Sequence, residues 1–188
     1  MSKFWIALIT LIAALLALVA GLIQACAAEV ERTIYVPAGW EGAYEFGYAP
    51  VVRVGDTVIV SGVPAGGEGS YEEKVRRMYR RVKELLTAAG ATIDDVVELT
   101  TFHAGPQDSA AFHAEFERYM PIHHEFFGKH QPTWTTVGTT ALLSPTAVVE
   151  MRVVAVAGSG RSSRVARGDA KPPAEKEGAT STTPAPGS

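Results

Sequence analysis

The chain has 188 residues, 47% of them hydrophobic and 20% charged, which suits one domain with segments left over and excludes a large multidomain enzyme. Between Glu29 and Gly158, 11 Lys and Arg face 17 Asp and Glu, a net charge of about −6 that argues against a nucleic-acid surface. A single cysteine, Cys26, excludes a disulfide framework and a cysteine-built metal site.

The amino terminus reads as an address. Phe4 to Ile23 is a run of uncharged residues behind Lys3, followed by small residues and the first acid at Glu29. Residues 1–28 are therefore expected to export the protein to a bacterial periplasm or to anchor it there. Three fates stay open. Cleavage after Ala27 would release a soluble protein; Ile23-Gln24-Ala25-Cys26 resembles a lipobox, making Cys26 a lipidation candidate; and twenty helical residues span about 30 Å, enough for a membrane anchor. Membrane contact is expected only through this segment.

Residues 29–158 alternate between strand and helix periods, an α+β pattern. Val30 to Val36 and Val51 to Val54 are short β-rich runs, and Gly55-Asp56 turns the second into Thr57 to Val63 as a hairpin. Ser70-Tyr71-Glu72-Glu73 is a capping box opening a helix with Val75, Met78, Val82, Leu85, Leu86 and Ala89 on one face and Gly90 as its stop. The opposite face, with Lys74, Arg76, Arg77, Arg80, Arg81 and Lys83 interspersed with acids, reads as solvated. Val96 to His103 is the next strand. A second helix starts near Asp108 or Ser109, sets Phe112, Phe116 and Tyr119 on one face, and is expected to kink or restart at Pro121. Trp134 to Thr140 and Val148 to Ala157 complete an order ββ(β)αβαββ. From Ser159 onward there is no aromatic residue and one Val among Gly, Ala, Ser, Thr and four Pro, so 159–188 is expected to be disordered.

His113, His123, His124 and His130 cluster around the second helix, but adjacent helical residues point about 100° apart and cannot both hold one ion. These histidines are expected on a polar or interface face, and no metal or cofactor is expected. No GxSxG elbow, P-loop or dinucleotide glycine pattern occurs.

Four blocks, Tyr48 to Asp56, Val58 to Gly62, Leu85 to Val97 and Val148 to Ala155, resemble in order and spacing the Rid family, the reactive intermediate deaminases also called YjgF or L-PSP proteins. The resemblance covers roughly Tyr48 to Ala157. It implies a chorismate-mutase-like α+β fold, one mixed sheet with two helices on one face, assembled as a homotrimer with small-molecule clefts between subunits. Tyr48 and Glu150 match site positions of the family, and the resemblance makes Glu150 the catalytic residue that orders a water or shuttles a proton.

The departures are equally informative. Deaminating members carry an Arg that grips a substrate carboxylate through paired hydrogen bonds, and Trp134 stands at that position here. Val63 replaces a polar residue, and Met120 falls near an Asn of the family. The expected substrate-binding set is Tyr48, Trp134, Thr136, Met120 and Val63, more apolar than the family's norm. The expected function is that of an exported hydrolase or deaminase acting on a small imine, enamine or related metabolite without the carboxylate grip. The alternatives are a non-catalytic ligand-binding or interaction trimer, and, with less support from an acidic core, a ribonuclease.

Overall fold

The computed structural model describes residues 30–166 and, ahead of them, Ile12 and Leu15. Cys26, the rest of residues 1–29 and residues 167–188 lie outside the described residues. Among the described residues no helix is long and apolar enough to cross a membrane. Six strands, β1 (Arg32–Tyr35), β2 (Val51–Val54), β3 (Thr57–Pro64), β4 (Val96–His103), β5 (Thr133–Gly138) and β6 (Val149–Val156), form one sheet in the order β1-β2-β3-β6-β4-β5. All neighbours are antiparallel except β4 and β5, which are parallel and joined by a helical crossover.

Two long helices cover one face, α2 (Tyr71–Ala88) and α3 (Ser109–Phe127). Ser70 caps α2 as expected, its hydroxyl accepting from the Glu73 N–H while the Glu73 carboxylate accepts from the Ser70 N–H. The buried stripe of α2 is Val75, Met78, Tyr79, Val82, Leu85 and Leu86. Its far end is held by Arg53 of β2, which donates to the Ala89 carbonyl at 2.9 Å. The basic face of α2 is not wholly solvated: Arg76 makes a paired contact with Glu125 of α3, at 2.6 and 2.8 Å. Helix α3 runs through Pro121 without a break, so the expected restart does not occur.

The alternation of β6 sorts the molecule. Val149, Met151, Val153 and Ala155 are fully buried beneath the helices, while Glu150, Arg152, Val154 and Val156 look the other way. By register the open face also carries Ile34, Val52, Ile59, Phe102 and Val137, crossed by an Arg152–Glu98 ion pair. A sheet face this apolar is suited to covering by another surface.

Two features went unforeseen. A short helix α1 (Glu41–Phe46) precedes β2, anchored by the buried Trp40 with the Arg81 guanidinium 4.7 Å from its ring centre. Ser159–Ser162, expected to be disordered, also form a 3-10 turn docked on the end of the Ile93–Asp95 turn. The Gly160 N–H donates to Asp95 at 3.0 Å, and the other Asp95 oxygen accepts from the Thr92 N–H and hydroxyl. Burial alone would raise this carboxyl, but these donors hold it below the usual range. Truncation after Gly158 is therefore expected to destabilise the protein by about 1–2 kcal/mol, because it strips a donor from a buried carboxylate. Truncation after Ser163 should cost nothing measurable by chemical denaturation.

Candidate functional site

A β-bulge builds the cleft that holds Glu150. Val60 pairs with Val153 and Val63 with Met151, so β3 carries one residue more than β6 across this interval. On its other side β3 stays in register with the chain ahead of β2: the Ser61 N–H donates to the Pro50 carbonyl at 3.0 Å, continuing the β2–β3 ladder, and its hydroxyl donates to the Ala49 carbonyl at 2.6 Å. That tether fixes the backbone beside Tyr48. The resulting cleft, of about 370 Å³, is lined by Tyr48, Ser61, Gly62, Pro64, Leu143, Ser144 and Glu150.

Glu150 lies against Gly62, where an added Cβ would overlap its carboxylate and sit 2.8 Å from the carboxyl carbon. Among the described residues nothing hydrogen-bonds or ion-pairs with this carboxylate. Partial burial without a partner pushes its pKa upward from the usual glutamate value. A half-buried, unpaired carboxylate with a raised pKa is suited to hold a water molecule and exchange a proton with it.

The remaining predicted residues lie elsewhere. Val63 is fully buried beneath the helices, so the expectation that it contacts a ligand is corrected; the bulge turns Gly62 and Pro64, not Val63, to the cleft. Trp134 and Thr136 face the helix side of β5. The Trp134 ring packs against Phe116, Tyr119 and His123, and its Nε1 donates to Thr101 Oγ1 at 3.0 Å. Thr136 pairs its hydroxyl with Thr101 at 3.0 Å, and Met120 is half-buried on α3. Within one copy the sheet itself separates Trp134 and Thr136 from Glu150 on the open face.

The family model described as Endoribonuclease L-PSP matches residues 43–157, well over half of the chain. The chain belongs to this family. The RutC family protein YjgH of Escherichia coli is 35% identical over 120 residues, covering 60% of this chain and 87% of the relative. Its solved structure superposes with a TM-score of 0.57 at 33% identity, covering 67% of this chain and 96% of that one. Rv2704 of Mycobacterium tuberculosis, a member of the YjgF/YER057c/UK114 family, gives a TM-score of 0.58 at 30% identity, covering 67% and 99%. The L-PSP, YjgF or Rid fold expected from four sequence blocks is thus the fold this chain has.

Sequence reading missed Ser61, Gly62, Pro64, Leu143 and Ser144 as cleft residues. Ser61 and Gly62 stood inside a recognised block, but only the bulge reveals that both face outward. The surface assignment of the histidines also fails for His123, which is 6% exposed and stacked between Phe127 and Trp134 at 4.6 and 4.5 Å. Burial first, then repulsion from His124 and His130, lowers its pKa from the ordinary 6.5 to about 4. Among the described residues, no group of three or more His, Cys, Asp or Glu could hold a metal ion.

Two measurements follow from this geometry. Because the folded His123 resists protonation, its contribution to stability is complete above about pH 6.5 and is lost as pH falls toward 4. The loss amounts to at most about 3 kcal/mol, and denaturation curves of His123→Phe should lack that part of the slope. Gly62→Ala should displace the Glu150 carboxylate and destabilise by about 1–3 kcal/mol. Pairing it with Glu150→Ala should recover most of that loss in a double-mutant cycle.

Proposed function

We propose that this L-PSP family protein is an exported hydrolase for a small imine, enamine or related metabolite that lacks a carboxylate, with Glu150 positioning the attacking water. The observation that carries the reading is the unpaired Glu150 carboxylate over Gly62, in a cleft that Tyr48 borders and no Lys or Arg lines. Such a lining offers no bidentate partner for a carboxylate and no charge to neutralise an RNA backbone. Hydrolysis needs only a positioned water, a general base and release of the amine or ammonia, so no cofactor enters the scheme. The leader composition is the basis for export.

The reading includes assembly as a homotrimer, in which the β5 edge of one copy adjoins the Tyr48 cleft of the next. Two observations support it. The open sheet face is apolar, and the family-matched positions fall on opposite faces of one sheet, where only a second copy can bring them together. A binding-only trimer draws support from Trp134, whose N–H is already spent on Thr101.

Glu150→Gln separates the two. For the hydrolase, turnover of an uncharged imine should fall at least about 100-fold while calorimetry shows ligand binding retained. Undiminished turnover would remove Glu150 from the chemistry, and absence of turnover in the wild type across uncharged imines would favour the binding module.

A further inference from the structure

Outside the Tyr48 cleft, His103 of β4 is fully buried together with Thr101. His103 Nδ1 lies 2.8 Å from Glu115 Oε1 of α3, which also accepts the Tyr71 hydroxyl at 2.9 Å. His103 Nε2 lies 3.1 Å from Thr101 Oγ1. That same oxygen meets Trp134 Nε1 and Thr136 Oγ1, each at 3.0 Å. Phe112, Phe116 and Tyr119 close around the imidazole with ring centres 5.1, 6.4 and 5.2 Å away. The titratable and charged groups facing His103 among the described residues are therefore Glu115 and Tyr119 of α3 and, behind Glu115, Tyr71 of α2 with Arg118 stacked 4.5 Å from its ring centre. From β6, the residue in register is Val149.

Counting protons along this chain assigns every hydroxyl. An indole N–H can only donate, so Thr101 Oγ1 always accepts from Trp134. While His103 is neutral and gives its Nδ1 proton to Glu115, its Nε2 is a lone pair and takes the Thr101 proton. Thr101 then has none left, so Thr136 donates inward and presents only lone pairs outward. When His103 carries its second proton, Nε2–H donates to Thr101, Thr101 donates to Thr136, and the Thr136 proton is released to face outward. Thr136 is the half-buried end of this relay, on the helix side of the edge strand β5.

We propose that Thr136 is a specificity-determining hydroxyl of the β5 edge. It takes an N–H or O–H donor of the ligand while His103 is neutral, and an acceptor once His103 is charged, with Thr101, His103 and Glu115 as positioning residues. This matches the substrate class above where the imine is N-unsubstituted or the enamine keeps an N–H, since that nitrogen bears a proton where a carboxylate bears none. The inference rests on the reading that the β5 edge faces a ligand cleft.

The test uses the full chain with labelled threonine methyls and histidine ring nitrogens, and two uncharged probes. Pyrrole only donates a hydrogen bond, and pyridine N-oxide only accepts one. On the alkaline side of His103 titration, followed by its own ring signals, pyrrole should bind about fivefold more tightly at the Thr136 methyl, the value of one neutral hydrogen bond. On the acidic side the order should reverse. Thr136→Val should abolish both preferences, Thr136→Ser should keep them, and Thr101→Val should leave His103 titrating but remove the reversal. A preference that stays constant through the titration would overturn the proposal, as would neutral His103 with its proton on Nε2, or a Thr136 methyl that responds to neither probe. A reversal that persists in a protein found monomeric by light scattering would support the relay while removing the assembled cleft, so the two failures are distinguishable.

Discussion

A β-strand sends successive side chains to opposite faces, and in β6 that alternation divides this protein into a packed half and a chemical half. Val149, Met151, Val153 and Ala155 face the helices and are buried completely. Burial of the Val and Met side chains contributes roughly 1.5–3 kcal/mol each, which fixes the register of the central strand, since a shift of one residue would exchange the two faces. Glu150 is held on the open face by the same constraint. Its position does not depend on any bond of its own, only on the packing of its neighbours on either side.

The bulge in β3 is the complement of that constraint. A regular β3 would keep strict alternation and give Ser61 and Gly62 opposite orientations. With one extra residue both face outward, while Ser61 stays tied to the chain ahead of β2 through Pro50 and Ala49. Glycine at position 62 then serves a steric purpose, because the Glu150 carboxylate occupies the space a Cβ would need. An unpaired carboxylate raised in pKa is an energetic cost that packing elsewhere offsets, and such costs gather where a protein does chemistry.

The helix face has its own polar interior. Tyr79, Tyr119 and His123 form one hydrogen-bonded group, and Thr136, Thr101, His103, Glu115 and Tyr71 another, with no buried side-chain nitrogen or oxygen left unsatisfied among the described residues. Complete satisfaction matters, because a single missing partner in a low-dielectric interior costs about 1–3 kcal/mol. Trp134 belongs to this interior as much as to any site. Replacing it with Arg would remove a packed ring together with the indole's bond to Thr101, so such a variant would report on folding as well as on ligand charge.

Much of the fold was legible in the residues alone. The Ser70 capping box, the stripe from Val75 to Ala89 and the Gly55-Asp56 turn are local signals, and local signals survive in a linear reading because they depend on backbone geometry within a few residues. Tyr48 and Glu150 were legible through matched blocks, and the structure puts both on one cleft. What the residues could not disclose depended on distant partners. The stacking of His123 between Phe127 and Trp134, the burial of Val63 behind a bulge and the docking of Ser159–Ser162 on Asp95 each join positions far apart in the chain or turn on register. Periodicity specifies which way a side chain points along its own element; only tertiary packing decides what it meets there.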